Sequence, residues 1–230
     1  MPRIGIIVVA GGSGSRMGAS VPKQFLPLAG KPILVHTVER LLQALPDAQI
    51  VIALPQEETD RWHDISGEYG LDGTHTVIHG GATRFESVKN ALAHIKECDI
   101  VAVHDGVRPF VSEGLIERVI SSALSHGTAV PAIAPADSFR TIAQDGHSQP
   151  TDRTALRAIQ TPQAFSYELL RKAYDAAEYA ASFTDDASVV EHYGSRIHLC
   201  EGDPANIKIT TPFHMTLAQA LLDIENGTKI

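Results

Sequence analysis

The sequence predicts an α/β domain built on a doubly wound, mostly parallel sheet, with one β-hairpin arm protruding from it. Three observations carry this prediction. Short runs rich in β-branched residues alternate with amphipathic stretches along most of the chain. The runs lack the polar alternation of a half-exposed strand, as strands covered on both faces do. One polar segment, residues 137–160, breaks the rhythm around an Asp145-Gly146 turn signal.

Residues 4–9, Ile-Gly-Ile-Ile-Val-Val, are the first expected strand and lead into a glycine-dense loop. A helix over 32–45 follows, then a strand over 50–54, a helix over 57–68 and a strand over 76–78. The next helix, 83–96, opens on Thr83 with Glu86 three residues later, the pattern of a capping box. A strand over 100–103, a helix over 112–125 entered through Ser112 and Glu113, and a strand over 129–133 continue the alternation. In the arm, 138–142 is expected to pair with a second extended run through 157–159. A lone hairpin is marginal in water, so the arm should pack against something. Helices over 166–181 and 185–193, strands near 197–200 and 207–209, and a closing helix from 211 complete the reading. Ligands of such sheets sit at the carboxyl ends of the strands, where the glycine loop, Gly80-Gly81 and His104-Asp105 all fall.

At 230 residues, 43% hydrophobic and 20% charged, the chain can bury one substantial core, and one domain over 1–230 is expected, with 137–160 inserted as the arm. The 19 Lys and Arg against 27 Asp and Glu leave a formal charge of −8, which disfavours a nucleic-acid surface. An anionic ligand must then find a local basic pocket. Cys98 and Cys200 show no metal or redox spacing and read as small apolar groups. His75 and His79 would stand roughly 13 Å apart along a strand, too far to share a metal, and read as structural. Without a signal peptide or an apolar run of about 18 residues, the expected location is the cytoplasm, and no membrane partner is expected.

The most informative stretch is Gly11-Gly-Ser-Gly-Ser-Arg-Met-Gly18, followed by Pro22-Lys-Gln24. Glycines after a strand let backbone N–H groups approach a polyphosphate, and Arg16 and Lys23 add two cations. A dinucleotide fingerprint fails because Met17 stands where its third glycine belongs. A Walker loop fails because Lys23 follows Pro22 and precedes Gln24. A nucleoside triphosphate site remains.

Further motifs stand in order along the chain: Gly80-Gly-Ala-Thr-Arg84 with Ser87, His104-Asp-Gly-Val-Arg-Pro109, Asp152-Arg153, Thr161-Pro-Gln163, Thr184-Asp-Asp-Ala-Ser188 and Asn206-Ile-Lys-Ile-Thr210. With the glycine loop they make the chain resemble, nearly end to end, the 2-C-methyl-D-erythritol 4-phosphate cytidylyltransferases, nucleotidyltransferases of the non-mevalonate isoprenoid pathway with a Rossmann-like fold. The resemblance implies CMP transfer from CTP to the methylerythritol phosphate, a divalent cation such as Mg²⁺, and a homodimer made through the arm. It assigns Arg16, Lys23, Arg153 and Lys208 to catalysis, the first two on the α-phosphate. It places the nucleotide on Ala10, Gly11, Gly12, Gly14, Gly81, Ala82, Arg84 and Ser87. The acceptor falls to Asp105, Arg108, Ser138, Thr161, Thr184, Lys208 and Arg153, the last reaching across the dimer. No metal ligand is assigned, the ion resting mainly on CTP phosphates with Asp105 as one open candidate.

The chemistry suits these residue types. A phosphate monoester is already ionised at neutral pH and needs no general base. What opposes reaction is anion-on-anion repulsion at the α-phosphorus, which fixed cations offset. Three features depart from the family pattern: Ser138 in place of threonine, the run Ala10-Gly11-Gly12 where many relatives have a second alanine, and Gly106-Val107 in place of the small pair common after the strand aspartate. A ribitol 5-phosphate cytidylyltransferase and a non-catalytic nucleotide-binding module remain open. A nicotinamide-dependent oxidoreductase is disfavoured, since the 50–54 strand ends in Pro55 rather than an acidic residue. No fused second enzyme domain is expected.

Overall fold

The computed structural model describes residues 2–12 and 21–227. The strands are β1 (Ile4–Val9), β2 (Pro27–Leu28), β3 (Lys31–Pro32), β4 (Gln49–Leu54), β5 (Thr76–His79), β6 (Ile100–Asp105), β7 (Thr128–Ile133), β8 (Phe139–Ile142), β9 (Ser148–Thr151), β10 (Ala158–Ile159), β11 (Gln163–Ser166) and β12 (Leu199–Glu201). The helices are α1 (Ile33–Ala44), α2 (Thr59–Glu68), α3 (Arg84–Leu92), α4 (Glu113–His126), α5 (Tyr167–Ala176), α6 (Asp186–His192) and α7 (Pro212–Glu225).

The main sheet runs β10-β7-β11-β6-β1-β4-β5, with β12 also paired to β7. Strands β6, β1, β4 and β5 are parallel neighbours, whereas β11 and β10 run antiparallel to theirs. The sheet is therefore mostly parallel, as the unbroken apolar runs require: every residue of β6 is buried, and β1 is buried up to Val8. One layer of the core packs α1, α2 and α4 on the sheet around Val38, Trp62 and Val119. The other packs α3, α5 and α6 around Val88, Leu170 and Val190. A smaller cluster joins Leu28, Phe110 and Ile209 to Ala218 and Leu222 of α7. Trp62 is fully buried and donates its Nε1–H to His75 Nε2 at 2.8 Å, which gives that histidine a structural partner.

The expected helix starts at Thr83 and Ser112 have a local cause. Thr83 and Glu86 form the reciprocal capping box, and Ser112 Oγ accepts from Leu115 N–H. Four expectations need correction. The 207–209 stretch is not a strand: Ile207 N–H turns back onto Ala205 O at 2.7 Å, and Ile209 N–H is held singly by Val107 O at 2.9 Å. The partner of 139–142 in the arm is β9 rather than 157–159, and Ala158–Ile159 joins the main sheet beside β7. The helices expected over 83–96 and 166–181 end early, at Leu92 and Ala176. The Asp145-Gly146 turn forms as expected, with Gly146 at φ +83° and His147 N–H donating to Asp145 Oδ1.

Candidate active site

The parallel ladder sets Val9 opposite Asp105, so the end of β1, the end of β6 and the turn after β5 open on one edge of the sheet. The chain leaves β1 through Ala10, whose N–H is held by Ala53 O at 3.0 Å. It leaves β5 through Gly80, held by Leu54 O at 2.7 Å, and Gly81. Gly81 must be glycine, because a Cβ there would lie 2.1 Å from the Glu86 Cβ. Gly81 N–H donates to Ser87 Oγ at 3.1 Å, and that hydroxyl donates to Thr83 O at 2.9 Å. Ser87 therefore fixes the turn.

Between these turns lies a cleft of about 210 Å³. It is lined by all the described residues expected to hold the nucleotide, namely Ala10, Gly11, Gly12, Gly81, Ala82, Arg84 and Ser87, together with Lys23, Asp105 and Lys208. Lys23 lies over Gly12, where a Cβ would stand 3.0 Å from its Cε and 3.1 Å from its Nζ. Gly14 and Arg16 lie outside the described residues. A second cleft of about 240 Å³ holds Arg108, Thr161 and Thr184, and shares Arg84, Asp105 and Lys208 with the first. Those three shared side chains form the junction of the two clefts.

Asp105 is the centre of that junction. Its Oδ2 lies 3.0 Å from Lys208 Nζ and 3.0 Å from Arg108 Nε, and its Oδ1 lies 3.9 Å from Arg84 Nε. Burial by itself would raise its pKa, but Lys208, Arg84 and Arg108 together hold the carboxyl well below the usual range. Arg84 is held from behind by Asp186, at 2.7 Å, and Asp186 also accepts from Tyr174 OH at 2.6 Å. Burial opposes the Arg84 charge, yet the pairing with Asp186 keeps it firmly protonated. A carboxylate faced by three cations is a poor ligand for a divalent ion, and among the described residues no group of three or more His, Cys, Asp or Glu side chains could hold one. The residues present thus do not fit a protein-bound Mg²⁺ at Asp105.

A second network lies behind Asp105. Its backbone N–H donates to Thr161 Oγ1 at 3.0 Å, and Thr161 Oγ1 lies 3.1 Å from His104 Nδ1. His104 Nε2 is 3.2 Å from Arg108 O, which can only accept, so the ring carries its proton on Nε2 and Thr161 donates to Nδ1. Asn206 Nδ2 donates to Thr161 O, and the Asn206 backbone carbonyl accepts from Arg108 Nη1, each at 2.8 Å. The expected acceptor residue Thr161 thus faces inward as well as lining the cleft. Ser138 and Arg153 are not brought to either cleft within one chain. Arg153 donates to Ala136 O at 2.6 Å and lines a separate groove with Pro135 and Arg157. The sequence alone assigns no role to His104, Asp186, Asn206 or Gln24. All four sit inside its motifs, within two positions of residues that do receive one.

Comparison with known proteins gives a consistent result. The profile of the 2-C-methyl-D-erythritol 4-phosphate cytidylyltransferase family, IspD, matches residues 4–224. A curated relative of that name from Bacteroides thetaiotaomicron is 46% identical over 217 residues, 94% of this chain and 98% of the relative. Another of the same name, from Clostridium perfringens, is 38% identical over 222 residues, covering 95% and 98%. Among solved structures, 4-diphosphocytidyl-2C-methyl-D-erythritol synthase from Anaerococcus prevotii superposes with a TM-score of 0.83 at 29% identity, covering 96% of both chains. The 2-C-methyl-D-erythritol 4-phosphate cytidylyltransferase of Thermus thermophilus gives 0.74 at 32% identity, covering 95% of this chain and 98% of its own.

Proposed function

Because the chain belongs to the 2-C-methyl-D-erythritol 4-phosphate cytidylyltransferase family, we propose that it transfers CMP from CTP to 2-C-methyl-D-erythritol 4-phosphate, giving 4-diphosphocytidyl-2-C-methyl-D-erythritol and pyrophosphate. The observation that carries this reading is the pair of clefts meeting at Arg84, Asp105 and Lys208. A reaction between two anions needs two adjoining subsites with cations between them. CTP occupies the cleft floored by Ala10–Gly12 and Gly81, with Lys23, and Arg16 from the glycine loop, on its α-phosphate. The acceptor occupies the second cleft, its phosphate drawn to Lys208 and its hydroxyls to Asp105, Thr161 and Thr184. The acceptor phosphate oxygen attacks the α-phosphorus in line, the bond to the bridging oxygen breaks, and pyrophosphate leaves with that electron pair. No proton moves, so no base is required. Each well-aimed donor contributes about 3 kcal/mol, two to three orders of magnitude in rate. A divalent ion bound with CTP would supply further neutralisation of the phosphate charge, and among the described residues no ligand set of three or more His, Cys, Asp or Glu would hold it apart from the nucleotide.

We assign the arm to a homodimer of a one-domain chain. Its strands are exposed, with Phe139 and Ile142 at 44% and 67%, and Ser138 and Arg153 meet no acceptor cleft in their own chain. A second copy covering the arm gives both residues a cleft to enter. Nothing in the clefts favours ribitol phosphate, and the relatives carry the methylerythritol name. No described helix is long and apolar enough to cross a membrane, which agrees with two water-soluble substrates met in the cytoplasm. The test is pyrophosphate release from CTP and Mg²⁺ with each polyol phosphate in turn. Release with methylerythritol phosphate is expected; release with ribitol 5-phosphate alone, or CTP binding without release under any acceptor, overturns the reading.

A further inference from the structure

The structure assigns Gln24 a role that its neighbours leave open: we propose that it is a positioning residue, whose side-chain amide holds the floor of the nucleotide cleft and Lys23 in a fixed relation. The inference rests on the reading of Lys23 as the cation of the α-phosphate. Gln24 lines the nucleotide cleft yet is only 1% exposed. Its Nε2–H donates to Ala10 O at 2.7 Å, and since a carbonyl can only accept, the orientation of the amide is settled. Ala10 is thereby clamped from both sides, its N–H by Ala53 O at 3.0 Å and its carbonyl by Gln24. Gly11 and Gly12 start from that fixed peptide. Lys23 precedes Gln24 in a single 3₁₀ turn, Lys23–Phe25, whose other end is anchored by the buried ring of Phe25. The amide therefore ties the turn that carries the cation to the backbone that cradles the phosphates.

The other half of the amide argues that this tie is functional. Gln24 Oε1 is buried with no hydrogen-bond partner among the described residues, a disadvantage that an apolar side chain of the same length would not have. A residue placed for packing alone would be better as methionine. What the glutamine adds is the one bond to Ala10.

Gln24→Met tests this, since it keeps the volume and removes the amide. Its melting temperature should stay within about 4 °C of the parent, while kcat falls about 10- to 100-fold, as for displaced catalytic groups. If Gln24 acts through Lys23, the double variant Gln24→Met with Lys23→Met loses no more than Lys23→Met alone, within about 3-fold. Parental kcat in Gln24→Met, or losses that multiply in the double variant, overturn the proposal. Parental kcat in Lys23→Met alone would instead remove the reading of Lys23 beneath it. Should Gln24→Met not fold, Gln24→Glu decides by its pH profile. The carboxyl that this substitution introduces can still donate to Ala10 O when neutral and cannot when ionised, so kcat relative to the parent should rise as the pH falls; a flat ratio overturns the proposal.

Discussion

Asp105 and His104 are adjacent in sequence and show opposite solutions to burial. Asp105 keeps its charge because three cations face it. His104 is fully buried with hydrogen bonds that suit its neutral ring, and burial pushes its pKa from 6.5 down to about 4. Because the folded value lies below the unfolded one, the histidine's contribution to stability is complete above pH 6.5 and is lost as the pH falls toward 4. Over that window the slope is up to about 1.4 kcal/mol per pH unit. Urea unfolding at pH 7 and pH 5 should show this loss in the parent and a smaller one in His104→Gln. Equal losses would place the protonation elsewhere. Such pairing is only partly legible in sequence. The motif puts Arg84 beside the nucleotide, and it does line that cleft, but its guanidinium is committed to Asp186 and turned toward Asp105. A partner 102 positions away has no local signature.

At the scale of elements, the parallel strands are readable because burial on both faces writes itself as unbroken apolar runs. Strand β9, Ser-Gln-Pro-Thr, is not. It is mostly exposed, polar and contains Pro150, so neither pattern nor propensity marks it. The 207–209 stretch misleads in the opposite sense, since its isoleucines have separate reasons to be apolar. Ile209 is buried in the cluster under α7, and Ile207 packs at the edge of that cluster. The glycine turns divide just as clearly. Gly81→Ala forces a Cβ onto Glu86 and should cost about 1–3 kcal/mol, while raising KM for CTP. Gly11→Ala meets no described atom within 4 Å, and should stay within about 0.5 kcal/mol of the parent. Denaturant unfolding of the two variants checks this contrast, and equal losses would mean that the β5 turn is not the constraint.

On the scale of the whole molecule, an acidic chain gathers cations along one edge of its sheet, where two clefts meet. The glycine loop, Gly80-Gly81 and His104-Asp105 locate that edge, because they stand at the ends of β1, β5 and β6 in the parallel core. What they cannot give is the relation between the edge and the arm, since Ser138 and Arg153 stand apart from the clefts of their own chain. In the dimer proposed above each arm serves the partner copy, and on that proposal Lys208 and Arg153 at one acceptor site come from different chains. Subunit mixing tests that claim most directly. Lys208→Gln and Arg153→Gln should each slow pyrophosphate release by about two orders of magnitude as homodimers. Co-expressed in equal amounts, they should recover about one quarter of parental activity, because half the dimers are mixed and each mixed dimer holds one intact site. No recovery on mixing would confine the site to a single chain, and parental rates in Lys208→Gln would contradict the cation cluster itself.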